Sequence, residues 1–393
     1  MTIDEKTLKN LIGFRDDQGV LSFYVGFTPE QAADPQPTAP IEIRNQMRDL
    51  RNRIRDDHAR DLWPAIEARL DALNGQLDDL LDPRAHGRGR ALFVAVSDGR
   101  SETVAIQMPF RERVIYDKGA YVRPLVAAHD EGRAAGILAV HREGTRLLEW
   151  RTGEVEELER QAFELGDAQL ADIKSGPSGN NPRHMQEGAV NRERFDDRID
   201  HNRTRFLKGV IADVLETASE RGWDRLILAG TEKVRQEVRD ELGETPFQLL
   251  HAEQSWEETA PSAIADEAWP ILRSKHRERE CQLIEQAKDR ALAGGAGALG
   301  LRNVLNALNE GRVAHLLVRS DLELEGYSTE EDTLHAQVGG AAAQAGYEMH
   351  PEEHFVERMF EKAITMGGSV TPVDAEAAEL LDEHEGIAAL LRW

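Results

Sequence analysis

The sequence contains a single cysteine, Cys281, among its 393 residues. One cysteine excludes an internal disulfide framework and any cysteine-rich zinc site. No apolar run approaches the roughly 20 residues that span a bilayer. The first residues, Met-Thr-Ile-Asp-Glu-Lys, include no apolar signal region. These absences predict a cytoplasmic protein that has no membrane partner.

Positive charge is also scarce, with 48 Lys and Arg against 72 Asp and Glu and a formal net charge of −24. Contacts to phosphate need a basic surface, so this balance alone argues against nucleic-acid binding and predicts no DNA partner. Two interpretations stay open. Either the protein does not contact nucleic acid, or acidic residues cover its solvent faces and basic patches are kept where contact occurs.

The composition and the order of apolar segments predict an α/β protein of several domains. A hydrophobic content of 40% with 31% charged residues is typical of a globular chain. At this length two or three domains are expected, and we place them at residues 1–120, 121–272 and 273–393. Buried strand patterns such as Asp224–Gly230 alternate with helical ones such as Glu232–Leu242, which Thr231 caps and Gly243 ends.

Two short motifs are present without the context that their chemistry needs. Gly295–Gly300 fits the dinucleotide pattern G-x-G-x-x-G, but it follows a helix, so we interpret it as a flexible link between helices. His350–His354 fits H-x-x-E-H, a metal motif that needs both histidines on one helical face. Pro351 is a natural first helical residue and would leave His350 outside the helix. We therefore predict no metal site and no cofactor.

The stretch Asp172–Arg192 is predicted to be a long polar loop, since glycines free its backbone and prolines block helix formation. A helix from Glu193 to about Thr217 follows. Its apolar stripe is formed by Phe195, Ile199, Phe206, Val210 and Val214, widened by Leu207, Ile211 and Leu215. Its other face carries Arg194, Arg198, Arg203, Arg205 and Lys208. Such a loop and helix could reach an anionic partner, or form an ordinary surface whose arginines pair with Asp196, Asp197 and Asp200.

Segments in all three parts resemble the archaeal and eukaryotic class-1 release factors and Pelota, and above all their bacterial relatives. In the middle these are "GILAVHREGTRLLEW", "RERFDDRIDHNRTRFLKGV" and "WDRLILAGTEKVRQEVRDEL". Near the end they are "LGLRNVLNALNEGRVAHLLV" and "EGIAALLRW", and near the start "GVLSFYV" and "GRGRALFVAVS". The resemblance implies a decoding-site-like first domain and a central RNase-H-like domain with a mixed sheet. It also implies a C-terminal α/β/α domain, ribosomal-protein-like, that contacts a translational GTPase.

The chain departs from the family at the residues that perform catalysis. When Phe195 is matched to the phenylalanine of the family helix, the catalytic Gly-Gly-Gln falls on Gly188-Ala189-Val190. Valine has no donor or acceptor with which to place a water molecule. The Asn-Ile-Lys-Ser signature for stop codons is missing from the first domain, and Asp172–Ser175 is a similar string in the wrong domain. The resemblance therefore favours a protein that is not an enzyme.

From this resemblance we expect a factor that occupies the A site and the peptidyl-transferase centre of idle ribosomes, as a hibernation factor of the Balon kind would. The residues expected to contact ribosomal RNA are Asn180, Asn181, Arg183, His184, Gln186, Gly188, Ala189, Val190, Asn191, Arg192, Arg194, Arg198, Arg203 and Arg205. Two alternatives stay open. One is a peptidyl-tRNA hydrolase that rescues stalled ribosomes through Gln186, and the other is a protein-interaction module that never binds RNA.

Overall fold

The computed structural model describes residues 3–34, 37–56, 62–141, 143–163, 203–337 and 348–393. Their contacts define two compact units. Unit one combines Met1–Gly132 with Arg273–Trp393, and unit two is Arg133–Leu272. Within the described residues, helices alternate with antiparallel and mixed sheets, which confirms the α/β class. The division at 1–120, 121–272 and 273–393 stays a prediction.

The N-terminal part of unit one is an antiparallel sheet covered by helices. Its helices are α1 (Glu5–Ile12), α2 (Pro29–Ala33), α3 (Ala39–Asp56), α4 (Trp63–Ala72), α5 (Asn74–Leu81) and α6 (Arg123–Glu131). Its strands are β1 (Arg15–Gly26), β2 (Gly89–Ala95), β3 (Ser101–Ile106) and β4 (Arg113–Gly119), in the order β3-β2-β1-β4. Alternate β1 side chains Leu21, Phe23 and Val25 share one buried core with residues of α3, α4 and α5, as the period of two in a strand requires.

Unit two is built on one five-stranded mixed sheet. The strands are β5 (Ala135–Val140), β6 (Gly144–Arg151), β7 (Glu154–Ala162), β8 (Arg225–Ala229) and β9 (Gln248–Ala252). Their order is β7-β6-β5-β8-β9, with β6 antiparallel to β5 and β7, and with β5, β8 and β9 parallel. Residues 203–221 form helix α7, and Glu232–Leu242 form α8. The mixed sheet predicted for the central part is confirmed.

The C-terminal part of unit one begins at Arg273, within the long helix α9 (Pro261–Leu292). Its other helices are α10 (Leu301–Asn309), α11 (Phe355–Thr365) and α12 (Ala375–Glu379). The sheet β10-β16-β11-β15 contains β10 (Gly297–Leu299), β11 (Val313–Arg319), β15 (Ser369–Val373) and β16 (Ile387–Leu391). A small antiparallel sheet contains β12 (Gly326–Thr329), β13 (Leu334–His335) and β14 (Met349–Glu352).

Several local predictions are wrong in ways that tertiary pairing explains. The expected flexible link at Gly295–Gly300 contains β10, whose residues pair with β16. Pro351 does not start a helix, because it lies in β14 opposite Tyr327, and α11 begins at Phe355. Thr231 is at the N-cap of α8 and Gly243 at its C-cap, as predicted, although the Thr231 side chain makes no capping hydrogen bond.

The two parts of unit one share a buried ion pair. Arg123, in the first turn of α6, donates from Nε to Oε1 of Glu357 in α11 at 2.6 Å. Its Nη1 also donates to the carbonyl oxygen of Ser320 at 3.0 Å. Only 5% of the Arg123 side chain and 2% of the Glu357 side chain are exposed. Segments far apart in sequence therefore form one compact unit around opposite charges.

Among the described residues, no helix has both the length and the apolar character that crossing a membrane requires.

Candidate nucleic-acid interface

The two chain ends that flank segment 164–202 are held together at the edge of the central sheet. Phe163 follows β7, the edge strand, and its backbone N–H donates to the Glu143 carbonyl oxygen at 2.7 Å. Phe206 is in the first turns of α7. The Phe163 and Phe206 ring centroids are 5.5 Å apart. The described residues on the two sides of segment 164–202 therefore lie close together, beside the turn between β5 and β6.

A second contact joins the edge strand to α7. Gln161 in β7 donates from Nε2 to Oδ2 of Asp213 at 3.0 Å. Together with the pair of rings, this bond joins α7 to the end of β7. Both connections are side-chain contacts between segments that are separated in sequence by the long intervening stretch.

Helix α7 packs on the sheet through the stripe that the sequence predicts. Its buried residues are Leu207, Val210, Ile211, Val214 and Ala218. They share a core with Leu138 and Leu147 of the sheet. The helix extends to residue 221, beyond the predicted end at Thr217. Including Leu215 in the stripe was wrong, since that side chain is 37% exposed.

The opposite face of α7 carries basic side chains beside an acidic helix. Arg203 Nε is 3.5 Å from Glu237 Oε2, and Lys208 Nζ is 3.4 Å from Glu241 Oε1. Glu237 and Glu241 are one turn apart on α8. Arg205 is exposed, and no ion pair with another described residue is present. Exposed pairs of this kind contribute little to stability, about 0–1 kcal/mol, but they lower the local positive potential.

Most of the predicted RNA-contacting residues lie outside the described part of the chain. These are Asn180, Asn181, Arg183, His184, Gln186, Gly188, Ala189, Val190, Asn191, Arg192, Arg194 and Arg198. Arg203 and Arg205 are described, and both lie on the first turn of α7 that the structure describes. Their contact with RNA stays a prediction.

The sequence analysis did not identify Arg146, which connects residues 256–259 to the central sheet. Arg146 of β6 is 1% exposed and donates to the carbonyl oxygens of Trp256, Glu257 and Thr259. It also binds the Glu157 carboxylate. Its guanidinium thus fixes a loop to the sheet. The available signal was an arginine inside an otherwise apolar strand pattern.

Two carboxylate and histidine clusters lie in the C-terminal part. Glu323, His354 and Glu357 form one, and Glu330, Glu348 and His350 form the other, each with ligand atoms within 4.8 Å. The two histidines of the H-x-x-E-H string thus belong to different clusters. In the first cluster Arg123 already binds Glu357 and lies 3.4 Å from Glu323, and its positive charge opposes a cation there. The second cluster is mostly exposed, and nothing else in the described part of the chain points to an ion at it.

Comparison with known proteins gives one family match and several distant relatives. Residues 121–270 match the family model of bacterial archaeo-eukaryotic release factor family 10. The uncharacterised protein YocB of Bacillus subtilis (strain 168) is 20% identical over 168 residues, which are 42% of this chain. The aligned region spans 62% of the length of that curated relative.

Solved structures of translation factors also align with the chain. The archaeal translation termination factor aRF1 is 17% identical, with 100% of this chain and 99% of that chain covered and a TM-score of 0.24. A structure of ribosome-bound archaeal Pelota and ABCE1 contains a chain that is 18% identical, with 78% and 77% covered and a TM-score of 0.41. Dom34 of S. cerevisiae, described as interacting with Hbs1, is 8% identical, with 78% and 79% covered and a TM-score of 0.38.

The family match covers the sheet, the two flanks of segment 164–202 and helices α7 and α8, which are the elements of the candidate interface. It agrees with the resemblance found in the sequence. Residues 121–270 are therefore similar to the bacterial relatives of the archaeo-eukaryotic release factors.

Proposed function

We propose that this protein is a ribosome-binding translation factor that places segment 164–202 in the peptidyl-transferase centre of idle ribosomes without hydrolysing peptidyl-tRNA. The observation that carries the proposal is the junction of Phe163 and Phe206, whose ring centroids are 5.5 Å apart. It fixes both ends of the segment on the unit that matches the release-factor family. The first part of the chain would occupy the A site.

The chemistry of the segment favours occupancy over catalysis. Ester hydrolysis needs a group that orients water, and an amide side chain can both donate and accept. Val190, the residue that corresponds to the family's glutamine, can do neither. Arg183, Arg192, Arg194 and Arg198 can bind phosphate oxygens through their guanidinium forks, and Asn180 and Gln186 can bond to exposed base edges.

A translational GTPase of the elongation-factor type is the second partner in this proposal. The resemblance of the C-terminal part to the family supports it. Binding of such a GTPase by residues 273–393 would deliver the factor to the ribosome, or would couple GTP hydrolysis to its binding there.

A protein-interaction module that never meets RNA is the competing function. The ion pairs of Arg203 with Glu237 and of Lys208 with Glu241 favour it, because they reduce the positive charge of α7. The net charge of −24 favours it as well.

Co-sedimentation with 70S ribosomes over a salt series tests the proposal. We expect binding to weaken as salt rises, because each phosphate contact releases counterions. Reversing Arg194 and Arg198 to Glu should remove two contacts and lower the salt slope by about 2. Reversing Lys288 and Arg302 to Glu changes the net charge equally at distant sites and should leave binding nearly unchanged. No sedimentation at low salt, or equal losses in both variants, would favour the interaction module.

A release assay separates occupancy from hydrolysis. Ribosomes that hold labelled peptidyl-tRNA should release no peptide above background when the wild-type protein is added. Release that disappears in Gln186→Ala would establish the hydrolase instead. Release that persists in Gln186→Ala would also contradict the proposal, since another group would then be catalytic.

A further inference from the structure

A cavity of about 240 Å³ lies between α5, β2 and β3 in the N-terminal part. Leu80 and Leu92 form apolar walls, while His86, Arg90 and Thr103 bring polar groups. His86 belongs to the basic turn between α5 and β2. The volume is slightly below that of typical small-molecule pockets, which begin at about 300 Å³. We call this cavity the Arg90 pocket.

Arg90 is buried in the wall of the Arg90 pocket, with only 3% of its surface exposed. It follows Gly89 in β2 and lies on the same face of the sheet as Leu92. Its Nη1 donates to the Asp79 carbonyl oxygen in the last turn of α5 at 3.2 Å. The guanidinium carbon lies 4.8 Å from the centre of the Phe27 ring. These contacts use one nitrogen and one face of the guanidinium.

The other two nitrogens of Arg90 have no acceptor among the described residues. Both Nε and Nη2 are buried and make no hydrogen bond. They form one edge of the planar guanidinium, the edge that binds the two oxygens of a carboxylate or phosphate side by side. Buried donors without an acceptor are rare in native proteins and unfavourable. An oxyanion on that edge would satisfy both donors.

The burial of the Arg90 charge also favours a bound anion. Burial lowers the pKa of the guanidinium, and the nearby Asp82 opposes that shift. A bound anion would compensate the buried charge. Thr103 offers a hydroxyl and His86 a ring nitrogen as further donors to a headgroup.

We propose that the Arg90 pocket binds a small molecule that joins an oxyanion headgroup, carboxylate or phosphate, to a short apolar body. The headgroup binds Nε and Nη2 of Arg90, and the apolar body packs against Leu80 and Leu92. This site does not include segment 164–202, because all of the residues that line it belong to the N-terminal part of unit one.

Calorimetric titration of the full chain with three ring compounds tests the headgroup. Benzoate, phenyl phosphate and the uncharged benzamide are compared in chloride buffer that contains no other oxyanion. We expect one saturable site for benzoate or phenyl phosphate and at least tenfold weaker binding of benzamide. The stronger of the two anions identifies the headgroup. Equal binding of benzamide, or no binding of either anion at millimolar concentration, would overturn the proposal.

Matched charge variants test the location. Asp79 also lines the Arg90 pocket, and its carboxylate repels an anion, so Asp79→Asn should tighten binding several-fold. Glu102→Gln removes the same charge from β3 at an exposed residue that does not line the pocket, and it should change nothing. Equal effects of the two variants would place the anion elsewhere.

Variants of the donors complete the test. Arg90→Met keeps an unbranched side chain but removes the guanidinium, and it should abolish anion binding while circular dichroism stays unchanged. Thr103→Val should weaken binding without unfolding the chain, and it decides the question if Arg90→Met does not fold. Undiminished binding in Thr103→Val together with no tightening in Asp79→Asn would contradict the site.

Discussion

Arg123 and Glu357 illustrate how single buried charges define unit one. Arg123→Met leaves the Glu357 carboxylate buried without its cation, and we expect it to lower the free energy of unfolding by about 3–5 kcal/mol. The double change Arg123→Met with Glu357→Met removes both charges and should recover most of that loss. Urea unfolding of the three proteins provides the measurement.

The partly exposed pair of Arg51 and Asp71, whose Nη2 and Oδ1 atoms are 2.7 Å apart, is the control for that series. Arg51→Met should change the free energy of unfolding by no more than about 1 kcal/mol, because solvent screens this pair. If Arg123→Met costs no more than Arg51→Met, or if the double variant is less stable than the single one, the buried pair does not have the role assigned to it.

Glu280 gives unit one a dependence on pH. Burial raises the pKa of its carboxyl in the folded protein. The contact with His276, 3.5 Å away, lowers that pKa, and the like charges of Asp130 and Asp374 raise it further. In the unfolded chain the pKa returns to about 4.3. The Glu280 carboxyl therefore binds its proton more tightly in the folded protein than in the unfolded chain. The contribution of Glu280 to stability is fully present below about pH 4.3 and is lost as pH rises through the folded pKa.

We expect Glu280→Gln to be more stable than the wild type near neutral pH, with the difference shrinking as pH falls toward about 4. Each unit of pKa shift corresponds to about 1.4 kcal/mol. Urea unfolding of both proteins at several pH values measures this difference, in which the other acidic groups cancel. A difference that is constant with pH, or a variant that is less stable at neutral pH, would contradict it.

The roles of these residues could not be predicted from the sequence. Arg90, Arg123 and Glu280 are charged residues in a chain with many charges, and nothing local distinguishes them from exposed ones. Their burial arises from contacts with distant segments, such as Arg123 with Glu357. The inference that Val190 cannot orient water could be made from the sequence, because it depends only on the chemistry of the side chain and on a family pattern.

At the scale of single elements, helical periodicity in the sequence predicted the buried face of a helix well. The pairing of strands could not be predicted in the same way. The buried stripe of α7 follows its sequence pattern at Val210 and Val214. Strand β7 was missed because it is an edge strand with many exposed charged residues, which are typical of sheet edges. Helix α9 is 32 residues long. It continues through Pro270, a residue that usually breaks a helix at a cost of about 3 kcal/mol.

The acidic face of α8 is expected to limit RNA binding by α7. Glu237→Gln with Glu241→Gln would free Arg203 and Lys208 from their ion pairs. We expect tighter co-sedimentation with ribosomes and a steeper dependence on salt. Arg203→Gln with Lys208→Gln should have the opposite effect on both measurements.

A pair of changes elsewhere on α7 distinguishes local charge from net charge. Glu216 and Glu220 are exposed, and Glu216→Gln with Glu220→Gln changes the net charge by the same amount. We expect a clearly smaller gain in ribosome binding from this pair. If both pairs of substitutions act equally, the ion pairs with α8 do not limit binding and only the total charge matters.

At the scale of the whole molecule, the net charge of −24 and the proposed RNA partner are compatible only if charge is distributed unevenly. The sequence predicted the α/β class and the similarity of residues 121–270 to the release-factor family, since both depend on patterns that extend over many residues. It did not predict that residues before 133 and after 272 would form one compact unit. Such grouping depends on contacts across the length of the chain, which no local pattern encodes.

A cryo-EM map of the protein bound to idle 70S ribosomes would decide the proposed function. We expect the N-terminal part in the A site, residues 176–191 in the peptidyl-transferase centre, and Arg194 and Arg198 against the ribosomal RNA backbone. Density for the protein at another ribosomal site, or particles without the protein under conditions in which it co-sediments, would contradict the proposal.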